Sequence, residues 1–459
     1  MITAGGPTDL SASISADHVF SSIAIPGGAK RLLAGYSGGL DSHVLLHLLS
    51  QCRDRFSLKI AAIHVNHGLS INAGMWSEHC RSVCEALEME FIPVELDARA
   101  PKGESQEAWA RDKRYAAILR HMQDDDVLLT AHHKDDVAET LLIQLFRGAG
   151  PAGLASMPEQ ARLGRGWHLR PLLGYTRGEL KVYAEQHGLG WIEDDSNTDL
   201  KYDRNFLRNT ILPQLKQRWP GLSATLSRAA GHQAAASLLL DELARLDMAE
   251  CARDATRLLS VKSLMALSRD RAANTFRYWI KTRGFATPTD KQLTQVLDDV
   301  LKSRPDAEPC VTWNGAELRR YRDVVFITAP LPQPPVHHAQ INWDIQNGCK
   351  LPLGELRASP GRGKGIKAGK CAGNRVMVKF RSGSEVIRKG GHHQQLRKLF
   401  QEQGVPVCYR DFVPLVFIED RLVAVTGLCI DEDYSAGPDD VSWEISWSES
   451  GQVYSGFTG

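Results

Sequence analysis

Short apolar runs and helical repeats alternate along the first half of the chain. Four runs of mostly apolar residues, each short enough for one buried strand, lie at 32–36, 58–66, 91–96 and 127–130. Apolar residues recur at helical spacing in the segments that follow them, at 44–49, 75–89, 105–122 and 135–146. This order predicts an α/β fold, in which helices cover both faces of a parallel, doubly wound sheet.

The chain after position 146 follows different patterns. Helical spacing covers 177–187, 222–248, 261–282 and 289–301. A hairpin is predicted over 311–328, with Asn314-Gly315 as its tight turn. The final part mixes strands with a helix at 394–403 and ends on a predicted edge strand at 443–447. Residues 360–373 are rich in glycine and lysine, and we predict no fixed structure for them.

These changes of pattern predict four segments. We expect the α/β domain at 1–218, a small, mostly helical middle domain at 219–329, a Pro/Gly/Lys-rich linker at 330–373 and an α+β C-terminal domain at 374–459. No apolar run reaches the roughly eighteen residues of a membrane span, and no basic stretch followed by an apolar block indicates a signal peptide. The nine scattered cysteines suit a reducing cytoplasm.

The formal charge is nearly neutral overall but unevenly distributed. The chain has 459 residues, of which 55 are basic and 54 acidic, for a net charge of +1. Positions 361–410 hold twelve Lys or Arg against Glu385 and Glu402, a local net charge of +10 that leaves −9 for the remainder. One basic block on an otherwise acidic chain favours contact with a polyanion such as nucleic acid. A solvated, lysine-rich linker is the alternative.

A glycine-rich turn joins the first predicted strand to the first predicted helix. It consists of Ser37, Gly38, Gly39, Leu40, Asp41 and Ser42. Free N–H groups at a helix start form an anion site, the glycines leave room for a phosphate, and the serines add hydroxyl donors. Asp41 would repel a bare phosphate, so we expect it to hold a Mg²⁺ ion that bridges to one. The turn matches neither a Walker A loop nor a dinucleotide fingerprint, and an ordinary glycine-rich turn is the alternative.

A second polar cluster follows the fourth predicted strand. His132 and His133 leave the strand, and Asp135 or Asp136 is expected to cap the next helix. Asp136 and Glu139 are three residues apart and share a helix face. A transition-metal site is one interpretation of this cluster, but the absence of a spacing such as HExxH favours a nucleotide site. A capped helix with solvent-facing histidines is the other alternative.

Two arginine pairs are spaced so that each lies on one helix face. Arg111 and Arg114 are three residues apart, and Arg204 and Arg208 are four apart. For the first pair two interpretations stay open. One is a set of surface ion pairs of little energetic value, and the other is a clamp for a phosphate or an RNA backbone.

Several ordered tracts resemble one known family. The turn SGGLDS is similar to the PP-loop of the ATP pyrophosphatases, which cleave ATP between its α and β phosphates and activate an acceptor as an adenylate. The other tracts are HVNHGLS at 64–70, EAWARDKRY at 107–115, TAHHKDDVAETLLIQLFRG at 130–148, RPLL at 170–173, and WIEDDSN and DRNFLRN between 191 and 209. Together they resemble the N-terminal domain of bacterial tRNA(Ile)-lysidine synthetases. Residues 221–329 and 375–440 resemble the middle and C-terminal domains of the same family.

This resemblance implies a cytoplasmic ligase that uses ATP and Mg²⁺. In the family reaction, the C2 carbonyl oxygen of the wobble cytidine in tRNA(Ile) with a CAU anticodon attacks the α-phosphate, and the ε-amine of free lysine then displaces AMP. The resemblance further implies that the basic block and the C-terminal domain grip the tRNA. A homodimer is expected because the family has dimeric members.

The same resemblance carries roles to individual positions. It places ATP on residues 37–42 and Mg²⁺ on Asp41 and Asp136. The implied catalytic residues are Asp41, Arg111, Arg114, His133, Asp136, Glu139, Arg204 and Arg208. Among these, His133 or a carboxylate would act as the base, Asp136 and Glu139 would contact Mg²⁺ or lysine, and Arg204 and Arg208 would stabilise the adenylate.

Two other functions stay open on sequence grounds. A tRNA thiolase of the same superfamily would carry CxxC or other catalytic cysteines, and none is suitably placed here. A non-catalytic tRNA-binding protein would have no need of the intact turn and both polar clusters.

Overall fold

The computed structural model describes residues 14–21, 23–56, 58–68, 72–96, 101, 106–193, 198–253, 258–304, 306–336 and 339–448. The chain divides into two compact units, 1–239 and 240–459. No helix within the described ranges is long and apolar enough to cross a membrane. The division into four segments stays a prediction.

A six-stranded sheet forms the centre of the first unit. Its strands are β1 (Arg31–Gly35), β2 (Lys59–Asn66), β3 (Glu90–Glu95), β4 (Val127–Leu129), β5 (Gln160–Leu163) and β6 (Gly166–Leu169). They lie in the order β3-β2-β1-β4-β6-β5, and each neighbouring pair is parallel except β5 with β6. The predicted parallel sheet is confirmed, whereas the β5–β6 hairpin was not predicted.

Helices separate and follow these strands. They are α1 (Ala16–Ser21), α2 (Leu40–Gln51), α3 (Arg53–Phe56), α4 (Ala73–Ala86), α5 (Gln106–His121), α6 (Lys134–Phe146), α7 (Pro151–Leu154), α8 (Arg177–Gln186), α9 (Asp203–Phe206), α10 (Leu212–Arg218) and α11 (Leu222–Cys251). A π-helical turn, Leu207–Ile211, joins α9 to α10. Pro213 lies in the first turn of α10. It has no N–H to give to the preceding turn, which suits a change of helical pitch at this point.

Alternate residues of β1 enter two different cores. Leu32 and Ala34 pack with the apolar residues of α2, whereas Leu33 packs on the opposite face with Ala117 and Ile118 of α5. Leu32, Leu33 and Ala34 are at most 1% exposed. Because both faces of the strand are buried, its sequence is apolar throughout instead of alternating.

The chain order reverses beside β1. β2 and β3 lie on one side of β1, and β4 lies on the other. A crevice therefore opens at the carboxyl ends of β1 and β4, where α/β sheets bind their ligands. Residues 36–39 and 130–133 leave the sheet at those two ends. The topology thus brings together two polar clusters that are far apart in the sequence.

In its described residues the second unit contains four further sheets. Their strands are β7 (Ala252–Arg253), β8 (Leu258–Ser260), β9 (Cys310–Trp313), β10 (Ala316–Tyr321), β11 (Val324–Thr328), β12 (Gln340–Asn342), β13 (Cys349–Leu351), β14 (Gly354–Arg362), β15 (Ile366–Lys367), β16 (Val376–Lys379), β17 (Val386–Lys389), β18 (His392–Gln395), β19 (Leu415–Ile418), β20 (Arg421–Val425), β21 (Cys429–Ile430) and β22 (Val441–Ser448). The sheet orders are β7-β8-β11-β10-β9, β12-β16-β19-β20-β21, β13-β14-β22-β15 and β17-β18.

Six helices accompany these sheets in the described residues. They are α12 (Val261–Ala266), α13 (Arg269–Thr282), α14 (Asp290–Gln295), α15 (Ala368–Cys371), α16 (Leu396–Glu402) and α17 (Val407–Arg410). The single helix predicted at 261–282 is two helices, because Ser268 accepts the N–H of Arg271 and caps α13. The hairpin at 311–328 is confirmed, and Gly315 has the positive φ of +73° that its turn requires.

Part of the predicted linker is folded, so the prediction of no fixed structure at 360–373 was wrong. β14 pairs with β22, and β15 pairs with the other side of β22. β22 is therefore an inner strand, and its predicted edge position was also wrong. The glycines of this tract allow close packing: a Cβ at Gly365, where φ is +105°, would overlap the backbone of Trp443.

Candidate active site

The glycine-rich turn leads from the carboxyl end of β1 directly into α2. Gly39 is the N-cap of α2, with φ −76°, and provides no side-chain cap for the first N–H groups of the helix. Ser42 Oγ donates to Gly39 O at 2.9 Å and accepts from Ser37 N at 3.2 Å, which closes the turn. Open N–H donors and two hydroxyls therefore meet at the positive end of a helix dipole, an arrangement that binds phosphate.

Gly38 fixes the shape of this turn. Its φ is +83°, and a Cβ placed on it would lie 2.9 Å from Cys80 Sγ and 3.0 Å from Ile192 Cδ1. The carbonyl oxygen of Gly38 accepts from Ile192 N at 2.9 Å. The turn is thus held between α4 and the segment after α8, and only glycine fits this position.

His133 caps α6, which corrects the prediction that Asp135 or Asp136 would do so. His133 Nδ1 accepts from Asp136 N at 3.4 Å, and Asp136 Oδ2 accepts from His133 N at 3.0 Å. This reciprocal pair is a capping box, with Asp136 at its third helical position. The general preference for Ser, Thr, Asp or Asn at an N-cap had pointed to the aspartates.

Asp41 and Asp136 both approach His133. His133 Nε2 lies 3.6 Å from Asp41 Oδ2 and 3.4 Å from Asp136 Oδ2. Burial alone would lower the pKa of His133, but the close carboxylates of Asp41, Asp136 and Asp135 outweigh it and raise the pKa. The cluster therefore favours a positive charge between two carboxylates.

The carboxylate of Asp41 fits a Mg²⁺ ion. Its Oδ1 is buried and has no hydrogen-bond partner among the described residues. Both oxygens of Asp136 already accept hydrogen bonds, Oδ1 from Arg208 and Oδ2 from His133 N. One or two carboxylates suffice for Mg²⁺ when phosphates complete its coordination. Within the described ranges, no group of three or more His, Cys, Asp or Glu could hold a metal ion by itself.

Arg204 and Arg208 contact the predicted shared face of α6. Arg208 donates from Nε to Glu139 Oε1 at 2.6 Å, and from Nη2 to Glu139 Oε2 at 2.9 Å and Asp136 Oδ1 at 2.8 Å. Arg204 Nη2 donates to Thr140 Oγ1 at 2.8 Å, and its Nε lies 3.6 Å from Glu139 Oε2. Burial alone would lower the pKa of Arg208, but its bonds to Glu139 and the charge of Asp136 outweigh it and raise the pKa. This arginine therefore stays charged beside two carboxylates.

Asp135 belongs to a separate set of contacts. Its Oδ1 accepts from Lys216 Nζ and from Ser223 Oγ, the latter at 2.6 Å, and its Oδ2 accepts from Arg177 N at 2.8 Å. Burial would raise the pKa of Asp135, but these bonds and the charge of Lys216 lower it to about 2. The carboxylate thus fastens α6 to α8, α10 and α11. Sequence reasoning missed these partners because nothing in their local spacing points to Asp135.

The arginine pair on α5 is not joined to the carboxylates. In the described part of the chain neither Arg111 nor Arg114 forms an ion pair. Their guanidinium carbons lie 5.9 and 5.7 Å from the ring centre of Tyr115. Burial, followed by the charges of Arg111 and Arg204, lowers the pKa of Arg114 against an opposing effect of Tyr115. Arg114 therefore lies within electrostatic reach of the site, whereas Arg111 is exposed.

One quoted tract lies partly outside the described residues, and one set of polar side chains in the structure was missed by sequence reasoning. The last four residues of the tract WIEDDSN, at 194–197, lie outside the described residues. A series of hydrogen-bonded polar side chains at the carboxyl ends of β4 and β6, formed by Thr130, His132, His168 and Arg170, was not predicted as a unit. Thr130 and His132 fall in the tract at 130–148 and Arg170 in the tract RPLL, whereas His168 lies in none of the quoted tracts.

The basic block is less positive in the structure than in the sequence. Acidic residues from outside the block pair with several of its cations, including Asp440 with Lys367 and Asp411 with Arg381. The exposed side chains of Lys364, Lys389 and Arg397 form no ion pair within the described chain. These three are the best candidates for contact with a polyanion.

This chain is similar to known proteins over most of its length. The chain matches the family of the PP-loop domain over residues 12–215, the TilS substrate binding domain over 259–326 and the TilS substrate C-terminal domain over 376–447. The tRNA(Ile)-lysidine synthase of Coxiella burnetii is 40% identical over 416 residues, which cover 89% of this chain and 91% of that protein. The protein of the same name from Alkalilimnicola ehrlichii is 39% identical over 428 residues, 93% of this chain and 96% of that protein.

A solved structure, the U34-tRNA thiolase NcsA from Methanococcus maripaludis, aligns with a TM-score of 0.40 and 18% identity over 47% of this chain and 76% of that one.

Proposed function

This chain belongs to the tRNA(Ile)-lysidine synthase family, and on that premise we propose that it joins free L-lysine to C2 of the wobble cytidine of tRNA(Ile) with a CAU anticodon. The reaction converts ATP to AMP and pyrophosphate through an adenylated cytidine. The carrying observation is that relatives of this name align over about nine-tenths of the chain. The open N–H groups of the glycine-rich turn and the free oxygen of Asp41 support an ATP site.

In this proposal the phosphates of ATP lie on residues 37–42. The first N–H groups of α2 and the hydroxyl of Ser37 donate to phosphate oxygens, while Ser42 Oγ closes the turn by donating to Gly39 O. Asp41 would hold Mg²⁺, with Asp136 beside it, and the bound ion would neutralise phosphate charge. Arg204 and Arg208 stabilise the negative charge of the adenylate, and Arg114 contacts a phosphate or the RNA backbone together with Arg111.

The bond changes follow in two steps. The C2 carbonyl oxygen of cytidine bonds to the α-phosphorus as pyrophosphate leaves. The amine of lysine then bonds to C2, and AMP leaves with the electron pair of the broken C–O bond. The amine must lose a proton, and we assign its acceptor to a carboxylate beside His133, Asp41 or Asp136. His133 itself is not the acceptor, because its Nδ1 already accepts from Asp136 N and the ring proton therefore lies on Nε2.

Substrate contacts divide between the two units. Glu139 and Asp136 provide negative charge for the ammonium of lysine before its deprotonation. The exposed cations of the basic block contact the tRNA backbone. A cytoplasmic homodimer completes the proposal.

The direct test is incorporation of radiolabelled lysine into a tRNA(Ile) transcript with a CAU anticodon, in the presence of ATP and Mg²⁺. Elongator tRNA(Met), which shares this anticodon, is the control. Incorporation into the first transcript alone is expected. Transfer of labelled sulfur instead would reassign the chain to the thiolases, and tRNA binding without either reaction would indicate a non-catalytic protein.

A further inference from the structure

Four polar side chains form a continuous hydrogen-bonded chain beside the candidate site. Arg170 Nη2 contacts His168 Nδ1 at 3.1 Å, and His168 Nε2 contacts Thr130 Oγ1 at 2.8 Å. Thr130 Oγ1 in turn contacts His132 Nδ1 at 2.7 Å. His168 is only 3% exposed and Arg170 only 8%. Buried polar groups of this kind need their protons and lone pairs matched.

The proton positions follow from the arginine. A guanidinium has only donors, so His168 Nδ1 must accept, and the proton of a neutral His168 lies on Nε2. Nε2–H therefore donates to Thr130 Oγ1. The hydroxyl proton of Thr130 has no other acceptor among the described residues, so it points to His132 Nδ1. His132 Nδ1 thus accepts, and the proton of a neutral His132 lies on Nε2.

The Nε2–H group of His132 is available to a ligand. Within the described residues it makes no hydrogen bond, and His132 is half-buried at the carboxyl end of β4. Burial, then the charges of Arg170, His168 and Arg114, lower the pKa of His132 to about 3 against the opposing carboxylate of Asp136. His132 directly precedes His133, whose Nε2 lies within 3.6 Å of Asp41 and Asp136, so His132 adjoins the candidate site.

We infer that the hydrogen bonds linking Arg170, His168 and Thr130 hold His132 in the Nε2–H tautomer. We further infer that His132 Nε2–H donates a hydrogen bond to an acceptor oxygen of the substrates. The use of this donor rests on the proposed function. Thr130 and His168 are positioning residues that act through His132. The lone pair on Nδ1 is occupied by Thr130, so His132 is not the base of the reaction. The two adjacent histidines therefore have different roles: His133 caps α6 through its Nδ1, and His132 gives a hydrogen bond from its Nε2.

The tautomer is tested on the full chain without substrates. Long-range proton–nitrogen correlation spectra of protein labelled with nitrogen-15 histidine distinguish protonated from bare ring nitrogens, and the signals of His132 are those lost in His132→Gln. Wild type should show a protonated Nε2 and a bare Nδ1. Thr130→Val, which is isosteric but has no hydroxyl, should shift these signals, and Thr130→Ser should restore them. A protonated Nδ1 in wild type, or signals unchanged in Thr130→Val, would overturn the inference.

The donor role is tested by lysine incorporation. Glutamine can accept from Thr130 and donate from its amide, so His132→Gln should keep activity within about threefold, while His132→Leu should lose at least about tenfold. A rise in KM for ATP alone would identify a phosphate oxygen as the acceptor, and a rise for tRNA alone would identify the cytidine carbonyl. Full activity in His132→Leu, or equal loss in both folded variants, would refute the donor role. If wild type itself makes no lysidine, the proposed function fails, but the spectra still decide the tautomer.

Discussion

Gly38→Ala tests whether the left-handed glycine sets the shape of the candidate phosphate turn. At Gly38 φ is +83°, and an L-residue in this region costs about 1–2 kcal/mol. The added Cβ would also lie 2.9 Å from Cys80 Sγ and 3.0 Å from Ile192 Cδ1. Forced overpacking adds roughly 1–3 kcal/mol. We therefore expect the free energy of unfolding to fall by about 2–5 kcal/mol.

The neighbouring glycine is a matched control. Gly39 has φ −76°, and the nearest atoms to an added Cβ are Ser37 Oγ at 3.5 Å and Ile192 O at 3.9 Å. For a unit of this size, 1 kcal/mol corresponds to roughly 2–4 °C in melting temperature. Gly38→Ala should therefore melt on the order of 10 °C lower than wild type, and Gly39→Ala within about 3 °C of it. Because a Cβ on Gly39 narrows the approach of a phosphate, this variant should instead raise KM for ATP.

A double-mutant cycle separates the two costs of Gly38→Ala. Cys80→Ala removes the Sγ contact but leaves the backbone strain and the Ile192 contact. The double variant should therefore recover part of the loss after correction for Cys80→Ala alone. Equal melting temperatures for the Gly38 and Gly39 variants would refute the steric argument.

Three further predictions follow from the charges. Asp41→Asn should abolish pyrophosphate release while tRNA affinity, measured by filter binding, stays within about twofold; retained release would remove its assigned role. The pKa of Asp135 is about 2, below its usual value, so its carboxylate stabilises the fold above about pH 4 and loses this effect as the pH falls toward 2. Between about pH 4 and pH 2, the free energy of unfolding should fall by about 2 kcal/mol more in wild type than in Asp135→Asn. Parallel curves of unfolding free energy against pH for the two proteins would contradict this prediction. In the double variant Lys389→Gln with Arg397→Gln, the slope of log K for tRNA binding against log salt should be smaller in magnitude by nearly two. Lys59→Gln, at the amino end of β2 and away from the candidate site, should leave this slope unchanged. A slope in the double variant equal to that of wild type would exclude backbone contact by these two side chains.

The α/β half of the fold could be predicted because its patterns are local. The continuous apolar run of β1 predicts a strand that is buried on both faces, as the structure shows. The alternation of strands with helices predicts parallel pairing. The β14–β22 pairing could not be predicted, since it joins segments far apart in sequence through a tract whose glycines suggested flexibility. At Gly365 the missing side chain instead lets the backbone of β22 approach closely, and this is visible only once the partner strand is known.

The sequence predicts which residues make up the candidate site, but it does not predict the hydrogen bonds and ion pairs between them. Positions 37–42 and the shared face of Asp136 and Glu139 follow from local spacing and from the rule that ligands bind at strand ends. The cap formed by His133 was missed because general preferences favour carboxylates and hydroxyls at that position. The long-range bonds from Arg208 and Lys216 to α6 required the folded chain, because electrostatic partners have no periodicity.

The burial of α6 explains why the segment that follows α8, with Arg208 and Lys216, belongs to the candidate site. Asp135, Asp136 and Glu139 lie within two turns of one helix and are each at most 8% exposed. Three buried carboxylates would be strongly unfavourable without compensation. Arg208 and Lys216, from the tract that follows α8, supply positive charge through direct hydrogen bonds. The two tracts therefore form one electrostatic unit, and a charge removed from either leaves a buried charge uncompensated in the other. Loss of activity in an Arg208 variant thus reports contact with substrate only when its stability is unchanged.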